Sequence, residues 1–112
     1  ACIASRESLD SRRESFLRFV RALYRGLKWL DEHSPEEIVT AGKKYFPGED
    51  ERVLLRAVSR YKTLGCWPLT PLVDQDGLNR LQEIMLTENE LNNQIPPDRL
   101  IDNALSQEAC SG

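Results

Sequence analysis

Between His33 and Pro68 the chain carries two complete sets of helix start and stop signals, and no other stretch restricts the fold so tightly. Ser34 is placed to cap a first helix, and Pro35 suits the first helical position, where its missing N–H would have no partner. Glu37 completes a Ser-x-x-Glu capping box. Phe46-Pro47-Gly48 ends this helix, because proline has no amide hydrogen to donate and glycine accepts left-handed backbone. Asp50 caps a second helix whose apolar positions, Val53, Leu54, Ala57, Val58, Tyr61 and Leu64, recur as one stripe. Gly65 and Pro68 close it around Cys66 and Trp67. The spacing predicts helices over 35–45 and 50–64.

The flanks obey the same period. Cys2-Ile3-Ala4-Ser5 reads as a piece of β-strand, followed by about one helical turn in SRESLD. A second capping box, Ser11 with Glu14, opens the longest expected helix, 11–32. Phe16, Val20, Leu23, Leu27 and Leu30 recur there at spacings of three and four, with Leu17 and Tyr24 widening the stripe. Arg18, Arg21, Arg25 and Lys28 line the other side, with Glu14 and Glu32 as ion-pair partners four residues away. That row reads either as a solvated face, its stems covering apolar surface, or as a docking surface for an anion or partner. Trp29 lies between stripe and row, placed to be exposed or to take part in self-association. His33, the one histidine, ends the helix where a cation favours the dipole.

Beyond Pro68, Asp74 or Asp76 caps a helix over 75–88 carrying Leu78, Leu81, Ile84 and Met85 on one side. Pro97 or Asp98 starts a short helix, 98–107, with Leu100, Ile101, Ala104 and Leu105, and the polar tail SQEACSG is expected to fray. The fold class is therefore all-α, with four main helices and a short C-terminal one.

A chain of 112 residues is one domain by length, 1–112, with room for a single modest core. A net charge of −3 argues against a dedicated nucleic-acid binder, and no apolar run reaches the ~20 residues of a membrane span. No secretory signal stands at the first residues. Cys2, Cys66 and Cys110 are odd in number and fit no zinc spacing; Cys66 is expected partly buried beside Trp67, and a Cys2–Cys110 bridge stays open. With one histidine, no Gly-rich phosphate loop, no HExxH and no GxSxG, the chain reads as no enzyme, with no cofactor and no metal. Asp74 and Asp76 supply too few oxygens for a calcium loop and serve capping instead.

In their order and spacing, HSPEEI, then KYFPG, then a helix closing in RYKTLGCWP resemble the C-terminal part of periplasmic solute-binding proteins of ABC importers. The group is the one serving nitrate, taurine, alkanesulfonates and thiamine-pyrimidine precursors, and the resemblance runs from Ser11 to Leu105. It implies two α/β lobes closing on a solute, an ABC permease as partner, and a periplasmic or extracytoplasmic location. It also implies that this chain begins within a longer protein, of which it is the C-terminal helical portion or a shortened relative. Most ligand contacts of the family come from upstream segments, so none is carried over. Trp67 in GCWP is the one ligand-binding candidate, with a packing anchor as its other reading. The alternative from the residues alone is a stand-alone oligomerisation or protein-interaction module without ligand. Its apolar helix faces, with Trp29 and Trp67 at the interface, would then meet a second copy.

Overall fold

Residues 2–112 are described in a computed structural model, and among them there is no strand. These residues form six helices joined by turns: α1 (Arg6–Ser11), α2 (Arg13–Glu32), α3 (Pro35–Gly42), α4 (Glu51–Leu64), α5 (Gln75–Thr87) and α6 (Ala104–Ser111). Single 3-10 turns lie at Lys43–Tyr45 and Pro97–Arg99. Residues 2–5, read from the sequence as a piece of β-strand cut from its sheet, form no strand here, and no other described segment offers them a ladder partner.

Where the sequence carries two agreeing signals, the local structure follows them. The Ser34–Glu37 capping box forms: the Glu37 amide donates to Ser34 Oγ at 3.2 Å and the Ser34 amide to Glu37 Oε2 at 2.8 Å. Asp50 caps α4 through the Arg52 amide at 2.7 Å, and Asp74 caps α5 through the Gly77 amide at 2.9 Å. Gly65 takes left-handed backbone (φ 64°) just past α4, and the Cys66 amide donates back to the Tyr61 carbonyl. Asn89 (φ 59°) ends α5 the same way, with the Glu90 amide on the Met85 carbonyl.

Two boundaries depart from expectation. The box at Ser11 does not form, because Ser5 already caps a helix that includes Ser11, whose hydroxyl donates back to the Ser8 carbonyl. Near the C-terminus the helix expected over 98–107 breaks into a 3-10 turn and a later helix. Asp102 Oδ1 accepts the Ala104 amide at 3.0 Å and restarts the chain there, and the tail does not fray. Ala109, in that tail, is buried, and Glu108 pairs with Arg13.

The chain divides into two compact units, Ala1–Arg21 with Leu72–Gly112, and Ala22–Pro71. In the first, Leu17, Gln82, Ser106 and Ala109 are buried; in the second, Ile38 and Val39, where α3 packs on α4. The apolar stripes rotate from where periodicity alone put them. On α4, Leu54, Leu55 and Val58 turn inward while Val53, Tyr61 and Leu64 are exposed. On α5, Leu78, Gln82 and Met85 turn inward and Leu81 and Ile84 are exposed; on α2, Leu17 is the buried centre and Leu23 is exposed. An apolar arc wider than the neighbour that covers it leaves a flank in water, and only packing decides which flank.

Candidate functional site

The corner that follows α4, in the Ala22–Pro71 unit, holds a concavity. Leu27, Leu30, Asp31, Tyr61, Trp67 and Leu69 line an open cleft of ≈ 350 Å³. The Gly65 turn brings Trp67 back against its own helix, where its ring meets Tyr61 edge-on at 5.7 Å between centroids and 69° between planes. Trp67, the ligand candidate of the sequence, therefore lies in a cleft and packs in it at the same time. Cys66 beside it is exposed, not partly buried, because the reversed turn directs it away; Cys2, Cys66 and Cys110 are all free thiols.

Lys62 dominates the polar side of that cleft, and no local pattern announces it. Its ammonium donates to the carbonyls of Leu30 at 2.8 Å, Asp31 at 3.3 Å, and His33. These carbonyls lie at the C-terminal end of α2, where the main chain has no amide of its own to offer and the dipole favours a cation. Trp29 O is taken by His33, whose Nδ1 donates to it at 2.7 Å. The two rings stack, with centroids 4.1 Å apart and planes at 20°, so His33 and Trp29 finish the helix together. Trp29 keeps about a third of its surface exposed (37%).

The basic row of α2 does not converge on a point. Arg18 pairs with Glu14 at 3.2 Å, as the i, i+4 spacing requires, whereas Lys28 Nζ lies 5.3 Å over the Tyr24 ring and makes no pair with Glu32.

In the other unit, two amide side chains clamp loop backbone. Gln82, 3% exposed on α5, donates to the Ile95 carbonyl at 3.0 Å and accepts the Ile95 amide at 2.7 Å. Asn103 does the same to Val73, at 3.0 and 2.9 Å. Such two-point contacts hold irregular chain where no ladder exists, and they are invisible to periodicity because the partner is 13 or 30 residues away. Nearby, the Ala104 amide and then Arg6 hold the Asp102 carboxyl below its usual range, and Arg13 does the same for Glu108. Both pairs are structural staples on open surface.

Among the described residues no three His, Cys, Asp or Glu side chains stand together as a metal site, and no helix is long and apolar enough to cross a membrane.

No family model and no solved structure matches the chain. Among curated proteins, it is 27% identical over 109 residues to a Bacillus subtilis (strain 168) protein named "Putative binding protein YtlA". The match takes in 97% of this chain and 33% of that protein, so the chain spans about a third of the length of the relative it resembles.

Proposed function

We propose that this chain is the C-terminal helical portion of an extracytoplasmic solute-binding protein, one that delivers a small solute of nitrate, sulfonate, taurine or pyrimidine type to an ABC importer. The observation that carries this reading is the alignment: nearly all of the chain runs along a third of a protein whose name says binding. The distribution of donors supports a scaffolding part within it. Recognition of a small anion needs several donors converging in a desolvated cleft. Here the α2 cations are strung along a helix, and Lys62, the one beside the cleft, donates to main-chain carbonyls. The solute is held by polypeptide outside this chain, and the role is not enzymatic.

An antibody raised against the chain tests the reading in cells of the source organism. The expected species is about three times the 12.8 kDa of this chain, purified and titrated calorimetrically with nitrate, taurine, an alkanesulfonate and hydroxymethylpyrimidine. It binds one of them with saturation, and the isolated 112-residue chain binds none. A sole cellular species of 12.8 kDa overturns the proposal in favour of a stand-alone module. Saturable 1:1 binding by the isolated chain would put the site in this segment, with Trp67 the first residue to substitute.

A further inference from the structure

We propose that the outward face of α4 binds the acidic, apolar face of α5 in a second copy of this chain. The inference does not rest on the solute-binding reading. On α4, Val53 (56% exposed) and Leu64 (63%) share the outer arc with Tyr61. Arg52, Arg56 and Arg60 border that arc at i, i+4 and i+8. Arg52 reaches only its own cap, Asp50, at 3.5 Å, and Arg56 and Arg60 meet no carboxylate among the described residues. Val53, Arg56, Ala57, Arg60 and Tyr61 together make one open, solvent-facing side of the helix. Guanidinium groups are costly to enclose in a dry core but common at the edge of a protein contact, where Arg and Tyr are both enriched.

The α5 surface is the inverse of this one. Leu81 and Ile84 are more than half exposed, and around them stand Asp76, Glu83 and Glu88 with a single cation, Arg80, so the face is acidic on balance; none of these four is ion-paired among the described residues. Charge divides along the chain in the same sense: residues 72–112 hold eight acidic and two basic side chains, a net of −6, and residues 1–71 carry +3. A partner for this α4 face must bring exposed apolar groups among unpaired carboxylates, and α5 of another copy does.

Size sets the strength. Fourteen helical residues extend about 21 Å, so one such stripe covers on the order of 200 Å², and even a reciprocal pair of contacts stays well under the ~1,600 Å² of a standard interface. An interface this small makes the association weak, and its charged rim makes it sensitive to salt.

Sedimentation velocity on the whole 112-residue chain, from about 10 µM to about 1 mM, reads it directly. The sedimentation coefficient rises with concentration at low salt, and ~0.5 M NaCl weakens association at least about tenfold. The variants Arg56→Glu/Arg60→Glu and Glu83→Lys/Glu88→Lys, each changing only exposed side chains, are monomeric alone and associate with one another when mixed. Unchanged helical circular dichroism separates loss of association from loss of fold. A parent chain that stays monomeric at about 1 mM, association that ignores salt, or charge-reversed variants that do not recover on mixing overturns the proposal. None of these readouts involves a solute, so failure here leaves the functional reading standing.

Discussion

Lys62→Met deletes one ammonium and keeps the aliphatic stem, which isolates the bonds that finish α2. Nζ donates to Leu30 O at 2.8 Å and Asp31 O at 3.3 Å, and to His33 O. A hydrogen bond from a charged donor contributes about 1.5–3 kcal/mol, and a cation at a helix C-terminus adds about 0.3–1 kcal/mol. One ammonium shares its charge among three carbonyls, and Lys62 is only half-buried, so water reaches those carbonyls once it is gone. The low end applies, about 2 kcal/mol in all. For a chain near this size each kcal/mol moves Tm by roughly 4–6 °C, so a loss of about 10 °C is expected. Urea unfolding followed by circular dichroism gives the free energy, with thermal melts alongside. Thr63→Ala, one residue on, is the control: its exposed hydroxyl donates to Ser59 O at 2.9 Å within the same helix, and removal costs under about 0.5 kcal/mol. A Lys62→Met chain as stable as the Thr63→Ala chain would refute the cap.

Three further outcomes follow from the same geometry. Gln82→Leu leaves both main-chain groups of Ile95 without a partner, and urea unfolding should show a loss of about 2–3 kcal/mol; a change below about 0.5 kcal/mol would mean the clamp contributes nothing net. Gly65→Ala puts a Cβ where nothing lies within 4 Å, so its cost, about 1 kcal/mol, is the left-handed backbone alone, and Gly65→Asn should recover much of it. The Glu37 carboxyl is held below its usual range, first by the Ser34 amide and then by the Ser34 hydroxyl, as Asp102 and Glu108 are by their own partners. Carboxyls depressed in the folded state contribute stability above the ordinary value near ~4, and that stability is lost as pH falls through the folded value. The urea midpoint should therefore drop in acid and Glu37→Gln should flatten part of the drop, whereas a midpoint rising on acidification contradicts the assignment.

Local chemistry made much of this protein legible in its sequence. The capping box at Ser34, the stops at Gly48 and Gly65, the caps at Asp50 and Asp74 and the all-helical class each depend on residues within a few positions of one another. A side chain of that kind reaches its own backbone whatever the rest of the chain does. Ser11 shows the limit: it matches the capping-box pattern and yet caps nothing, because Ser5 holds an equally local and earlier claim on the same turn. The binding reading came from order and spacing of motifs, and the distant Bacillus subtilis relative supports it only at the level of its name.

Tertiary structure decided which flank of each apolar stripe is covered, and with it the candidate surfaces. Periodicity gives Val53, Leu54 and Leu64 equal standing on α4; packing turns Leu54 inward and leaves the other two beside Arg56 and Arg60. Lys62 looks like any solvated lysine until the end of α2 is brought to it from 29–32 residues away, and Gln82 and Asn103 find their loops only through the fold. A helix signal is a bond between near neighbours and is written in their identities. A cap or clamp across such distances depends on where two segments meet, which is set by the sum of many weak contacts and by no residue alone.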